Sequence, residues 1–103
     1  MALTIFVEDQ AHRRIRSLHD DPGNTFLNVC RRLTARGTAV LDVVDPYADT
    51  MLNFIQLDRL IGELNAALES GALAAHESAI TRAVVEAAVE ARELSGYLYI
   101  EGD

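Results

Sequence analysis

EDQAHRRIRSLHD, residues 8–20, sets the reading of the chain's first third. Ala11, Ile15 and Leu18 recur at i, i+4 and i+7, and the acids Glu8 and Asp9 precede the arginines, as a helix dipole prefers. The spacing predicts a first helix near residues 9–19. On its N-terminal side, Leu3-Thr-Ile-Phe-Val7 is β-branched and aromatic and reads as a short strand. On its C-terminal side, Asp20-Asp-Pro-Gly-Asn24 breaks the chain, because proline and glycine in succession demand turn geometry.

Beyond the break, Thr25 is placed to cap a second helix with Phe26, Val29, Cys30 and Leu33 on one face and Gly37 beyond its end. Val40–Val44 returns to strand character. A proline turn with Asp45, Tyr47 and Asp49 follows, and Asp49 or Thr50 is placed to cap the next helix. In that helix Phe54, Leu57, Ile61, Leu64 and Leu68 fall at spacings of three and four. Gly62 inside it reads as a close packing contact, and Ser70-Gly71 ends it.

A further helix runs from about Ala74 to Ser95, with Ile80, Val84, Ala87, Ala91 and Leu94 as its apolar face. Ala79, Ala83, Ala87 and Ala91 add a row of small residues that lets another helix approach closely. Gly96 closes the helix, and Tyr97-Leu-Tyr-Ile100 reads as a final strand. The expected order is β-α-α-β-α-α-β in one domain, residues 1–103. This predicts an α/β or α+β fold, a three-stranded sheet covered by about four helices, with some parallel pairing across the long connections.

Half of the 103 residues are apolar, enough for one core. The single cysteine, Cys30, rules out an intramolecular disulfide and a multi-cysteine zinc cluster, which suits a reducing, cytoplasmic setting. The N-terminus lacks a basic leader and no segment reaches membrane-spanning length, so the expectation is a protein without a membrane partner. All nine cations are arginine, a bias consistent with codon composition.

Charge is unevenly distributed. Residues 1–37 hold six arginines against four acids, net +2, whereas residues 38–103 hold three arginines against twelve acids, net −9. An overall charge of −7 disfavours nucleic acid as a partner. Acids on solvent faces are ordinary, but a concentrated excess also suits a basic protein surface.

Candidate chemistry is sparse. Asp42, Asp45 and Asp49 lie close together near a strand end, with Asn53 and Gln56 downstream, but they lack the pattern of a magnesium-dependent enzyme. Cys30 and Arg36 have the spacing of a phosphatase loop, yet the intervening residues contain no glycine and continue a helical period. His12, His19 and His76 form no metal-ligand motif, and no serine lies in a nucleophile elbow. No cofactor or metal is expected.

These observations favour a small acidic, non-enzymatic protein-binding module, of the physical type represented by immunity proteins and antitoxin-like inhibitors. Its expected partner-binding residues are Asp42, Asp45, Tyr47, Asp49, Glu86 and Glu90. The alternative is a small enzyme or ligand-binding domain centred on Asp45–Gln56. A homodimer through the alanine-lined helix is compatible with either reading.

Overall fold

The computed structural model describes residues 3–34 and 49–102. In chain order these form β1 (Thr4–Glu8), β2 (Arg14–His19), α1 (Thr25–Thr34), β3 (Thr50–Leu52), α2 (Phe54–Ser70), α3 (Ala75–Glu93) and β4 (Tyr97–Glu101). The strands make one sheet in the order β2-β1-β4-β3, and every pair is antiparallel. The fold is therefore mixed α+β, with four strands and three helices among the described residues. The expected three strands, four helices and partly parallel pairing are corrected accordingly.

Residues 9–19 form the turn and second strand of a β-hairpin with β1 rather than a helix. Asp9 accepts hydrogen bonds from the backbone N–H groups of Ala11 (2.9 Å) and Arg13 (3.0 Å), folding the chain back within five residues. His12 completes the turn with φ of 63°, a left-handed conformation that a helix cannot accommodate. Ala11 and Ile15, whose spacing with Leu18 suggested one face of a helix, are exposed. Leu18 alone of the three packs against the core, opposite Ile5.

Side chains alternate across a strand, so β1 and β4 send Ile5, Val7, Leu98 and Ile100 to one face. Leu52 of β3 joins them opposite Leu98. Helices α2 and α3 pack on this face, and α1 packs on α3. Phe26, Val29, Cys30 and Leu33 of α1 are buried as the periodicity predicts. Ala87, Ala88 and Ala91 of α3 are buried with Val84 in the same cluster, and their small side chains permit the close approach of α3 to β1 and α1. Of the expected alanine row, Ala87 and Ala91 are thereby buried in the chain's own core, whereas Ala79 is exposed.

Several local expectations change with the caps. The first-turn amides of α1 are held by Asp20, which accepts from Phe26 N (2.8 Å) and Leu27 N (3.0 Å), and by Asp21, which accepts from Thr25 N (3.0 Å). The Thr25 hydroxyl also donates to Asp21, and this bond above all lowers the Asp21 pKa from its ordinary value. Thr25 is thus the first helical residue and not the cap.

Thr50 lies in β3, so α2 is capped by Asn53 instead. Its Oδ1 accepts from Ile55 N and Gln56 N, while Gln56 Oε1 accepts from Asn53 N, closing a capping box. The buried face of α2 is Leu57, Leu60, Ile61, Leu64 and Ala67, and Phe54 is exposed. A side chain at Gly62 would meet open space, which overturns the packing role expected for it. Gly71 ends α2 in the left-handed conformation, as expected.

At the end of α3, the left-handed residue is Ser95, and Gly96 N donates back to Ala91 O at 2.9 Å. Gly96 serves another need: a Cβ there would lie 2.0 Å from Glu8 O, so only glycine permits the end of β1 to pass this turn. The strand expected at Val40–Val44 lies outside the described residues.

Candidate binding face

Among the described residues, the sheet face turned away from the helices carries aromatic and charged side chains. Phe6 lies opposite Ser17 on one side and Tyr99 on the other, and Tyr99 lies opposite Met51. Glu8 lies between Arg14 and Tyr97. The register shifts between Val7 and Glu8, and this bulge brings Arg14 onto the same face as Phe6. Its guanidinium carbon sits 3.8 Å from the Phe6 ring centroid and 5.4 Å from that of Tyr99.

Carboxylates surround these rings. Glu8 is only 5% exposed, with Oε1 3.0 Å from His12 Nδ1 and Oε2 3.6 Å from Arg14 Nε. Glu101 lies 3.8 Å from Arg14 Nη2. The His12 imidazole stacks on Tyr97 with centroids 4.3 Å apart. Tyr99 donates its hydroxyl to Asp49 Oδ2 at 2.6 Å, and Gly102 N donates to Asp49 Oδ1 at 3.2 Å. The hydrogen bond to Asp49 is the main cause holding the Tyr99 pKa above its ordinary value, with desolvation and negative charge acting in the same direction.

Of the residues expected to bind a partner, Asp42, Asp45 and Tyr47 lie outside the described residues. Asp49 belongs to the open face through Tyr99. Glu90 lies on α3, 3.3 Å from Arg16, whose strand position faces the helix side, so it does not share a surface with Asp49. That contact is an ion pair without hydrogen-bond geometry. Glu86 is exposed on α3.

The charge asymmetry is also partly consumed by folding. Arg14 with Glu101, Arg16 with Glu90, and Arg32 with Glu77 join arginines of the first 37 residues to acids of the remainder. Exposed pairs of this kind add little stability, but they reduce the unpaired acidity inferred from sequence. Asp58 is similarly paired with Arg92 at 2.9 Å.

The chemical candidates acquire ordinary roles. Burial pushes the Cys30 thiol up to about 12, so it remains protonated at neutral pH and behaves as a core residue. Asn53 and Gln56 are committed to the α2 cap. His19 bonds Thr4 on the sheet's edge, and no group of three or more candidate ligands for a metal occurs among the described residues. A cleft lined by Arg32, Leu33, Ala72 and Leu73 encloses about 20 Å³, room for little more than a water molecule. No described helix is long and apolar enough to cross a membrane.

Sequence reasoning missed Phe6, Arg14, Met51, Tyr97 and Tyr99 as members of one surface. A signal existed in the alternation of Thr-Ile-Phe-Val-Glu and Tyr-Leu-Tyr-Ile-Glu, which places aromatics on the strand face opposite the aliphatics. What could not be read was that both aromatic rows belong to adjacent central strands. The class defined by these features is a small α+β protein with an antiparallel sheet that bears helices on one face and an acid-rimmed aromatic platform on the other. Comparison with protein-family models, curated proteins and solved structures finds no match to the chain.

Proposed function

We propose that the protein is a small non-enzymatic protein-binding module, an inhibitor-like protein that docks a basic partner surface onto the open face of its sheet. The observation that carries this reading is the concentration of Phe6, Tyr97, Tyr99 and Met51 beside the carboxylates of Glu8, Asp49 and Glu101. Aromatic residues and methionine supply contact area, while the carboxylates favour a cationic partner and disfavour an acidic one. Met51 is 47% exposed on this face. The net charge of −7 supports the same sign of partner.

Affinity purification from the protein's own cells tests the reading. The expected result is a basic protein retained in fixed stoichiometry, with capture lost in Tyr99→Ala and Glu101→Arg but preserved in Glu69→Arg on α2. Elevated salt should weaken the complex. Absence of a stoichiometric partner, or capture indifferent to the Tyr99 and Glu101 substitutions, would overturn it.

A further inference from the structure

We propose that the open face recognises an arginine side chain of its partner, and that Arg14 is an intramolecular occupant of the same seat. This deepens the docking-face reading and rests on it. A guanidinium already lies over the Phe6 ring at 3.8 Å and within 5.4 Å of Tyr99, so the platform has the shape and spacing that such a cation uses. The compact ammonium of lysine lacks the planar stack.

The manner in which Arg14 is held makes it exchangeable. Arg13 meets Asp9 and Arg92 meets Asp58 at 2.9 Å, each through a hydrogen bond. Arg14 instead stands 3.6 Å from Glu8 and 3.8 Å from Glu101, beyond hydrogen-bond distance from both. Its side chain is 48% exposed, as is a comparable 46% of Glu101. Three carboxylates, Glu8, Asp49 and Glu101, thus surround a platform whose resident guanidinium forms no close fork with the two nearest to it. An incoming arginine can stack on Tyr99 and hydrogen-bond Glu101 while Arg14 swings towards solvent.

The test is a nuclear magnetic resonance titration of the full chain with acetyl-Gly-Arg-Gly-amide and with the same peptide carrying citrulline, which keeps the shape and removes the charge. The arginine peptide should shift the Phe6 and Tyr99 ring signals saturably, and the citrulline peptide should not. Removing the internal competitor in Arg14→Gln should tighten arginine binding about two- to five-fold, and Glu101→Gln should weaken it. Arg14→Lys keeps a cation near the buried Glu8 while giving up the planar stack, so it is the second variant if Arg14→Gln does not fold, and it should also tighten binding.

Equal response to both peptides, shifts confined to other surfaces, or no tightening in a folded Arg14 variant would overturn the proposal. If a partner is captured through Tyr99 and Glu101 while the arginine peptide fails to bind, the arginine seat is disproved and the docking face stands. If neither binds, the docking face itself is lost.

Discussion

The two faces of the sheet are built from the same strands but solve different problems. Towards the helices, Ile5, Val7, Leu52, Leu98 and Ile100 are almost completely excluded from solvent and share one apolar cluster. On the opposite side, Phe6, Tyr97 and Tyr99 are only partly buried, and polar groups surround them. A one-residue step along β4, from Leu98 to Tyr99, crosses from the first environment to the second. The contrast teaches that the covered face supplies cohesion, whereas the open face holds its aromatic area in place with cations and carboxylates.

The largest effect should come from Gly96, in the turn between α3 and β4, which lies against the end of β1. Gly96→Ala puts a Cβ against the Glu8 carbonyl, backbone against side chain with no flexible atom to yield, and should cost about 4 kcal/mol or more in chemical denaturation. A near-wild-type midpoint would show that β1 and β4 can separate there without loss.

The adjacent pair in β4 measures the faces directly. Leu98→Ala should cost about 3 kcal/mol, because the buried site loses transfer energy and gains a cavity. Tyr99→Leu should lower the denaturation midpoint far less, by little more than the hydrogen bond to Asp49 that it removes, since the side chain lies on the partly exposed face. Similar losses from both substitutions would erase the distinction between the faces.

A smaller effect of opposite sign is expected under the helices. The Thr81 hydroxyl is buried on α3 and has no hydrogen-bond partner among the described residues. Thr81→Val keeps the shape and removes the unpaired polar group, so it should stabilise the protein by about 1 kcal/mol, read as a raised midpoint. A loss of stability would show that the hydroxyl is satisfied in solution.

The smallest effect concerns a single proton on the open face. Tyr99 is held above its ordinary pKa of 10.0 chiefly by donating to Asp49, so the bond favours the neutral phenol. Its stabilising contribution is present below pH 10 and disappears as pH rises through the higher folded-state value. Asp49→Asn should move phenol ionisation towards the ordinary value, followed by phenolate absorbance. An unchanged titration would remove Asp49 as the cause.

The helical hairpin was the most legible part of the chain. Leu57, Ile61 and Leu64 announce α2 through their period, Gly71 marks its end, and Val84, Ala87 and Ala91 mark the buried side of α3. The β1–β2 hairpin was illegible for a specific reason. Ala11, Ile15 and Leu18 imitate a helix in one dimension, while the Asp9 side chain and the left-handed His12 reverse the chain in three. Phe54 and Leu94 likewise satisfy a helical period yet remain exposed, because periodicity names a face without saying what covers it.

The candidate face was only partly legible. Asp49 was recognised as a polar candidate, but its link to Tyr99 spans 50 positions and depends on strand pairing. Glu90 was grouped with Asp49 by charge, and the sheet separates them. The docking face proposed above rests on aromatic residues with acids beside them, whereas the sequence expectation rested on the sign of the charges alone.

By itself, the sequence determined the long helices, the principal breaks and the acidic balance, because local periodicity, turn chemistry and composition are carried by neighbouring residues. Tertiary structure alone decided that residues 14–19 pair as an edge strand, that arginines of the first third meet acids of the rest, and that Phe6 and Tyr99 become neighbours on one face. These are contacts between distant segments, selected by which sheet register buries Ile5, Val7, Leu98 and Ile100 together.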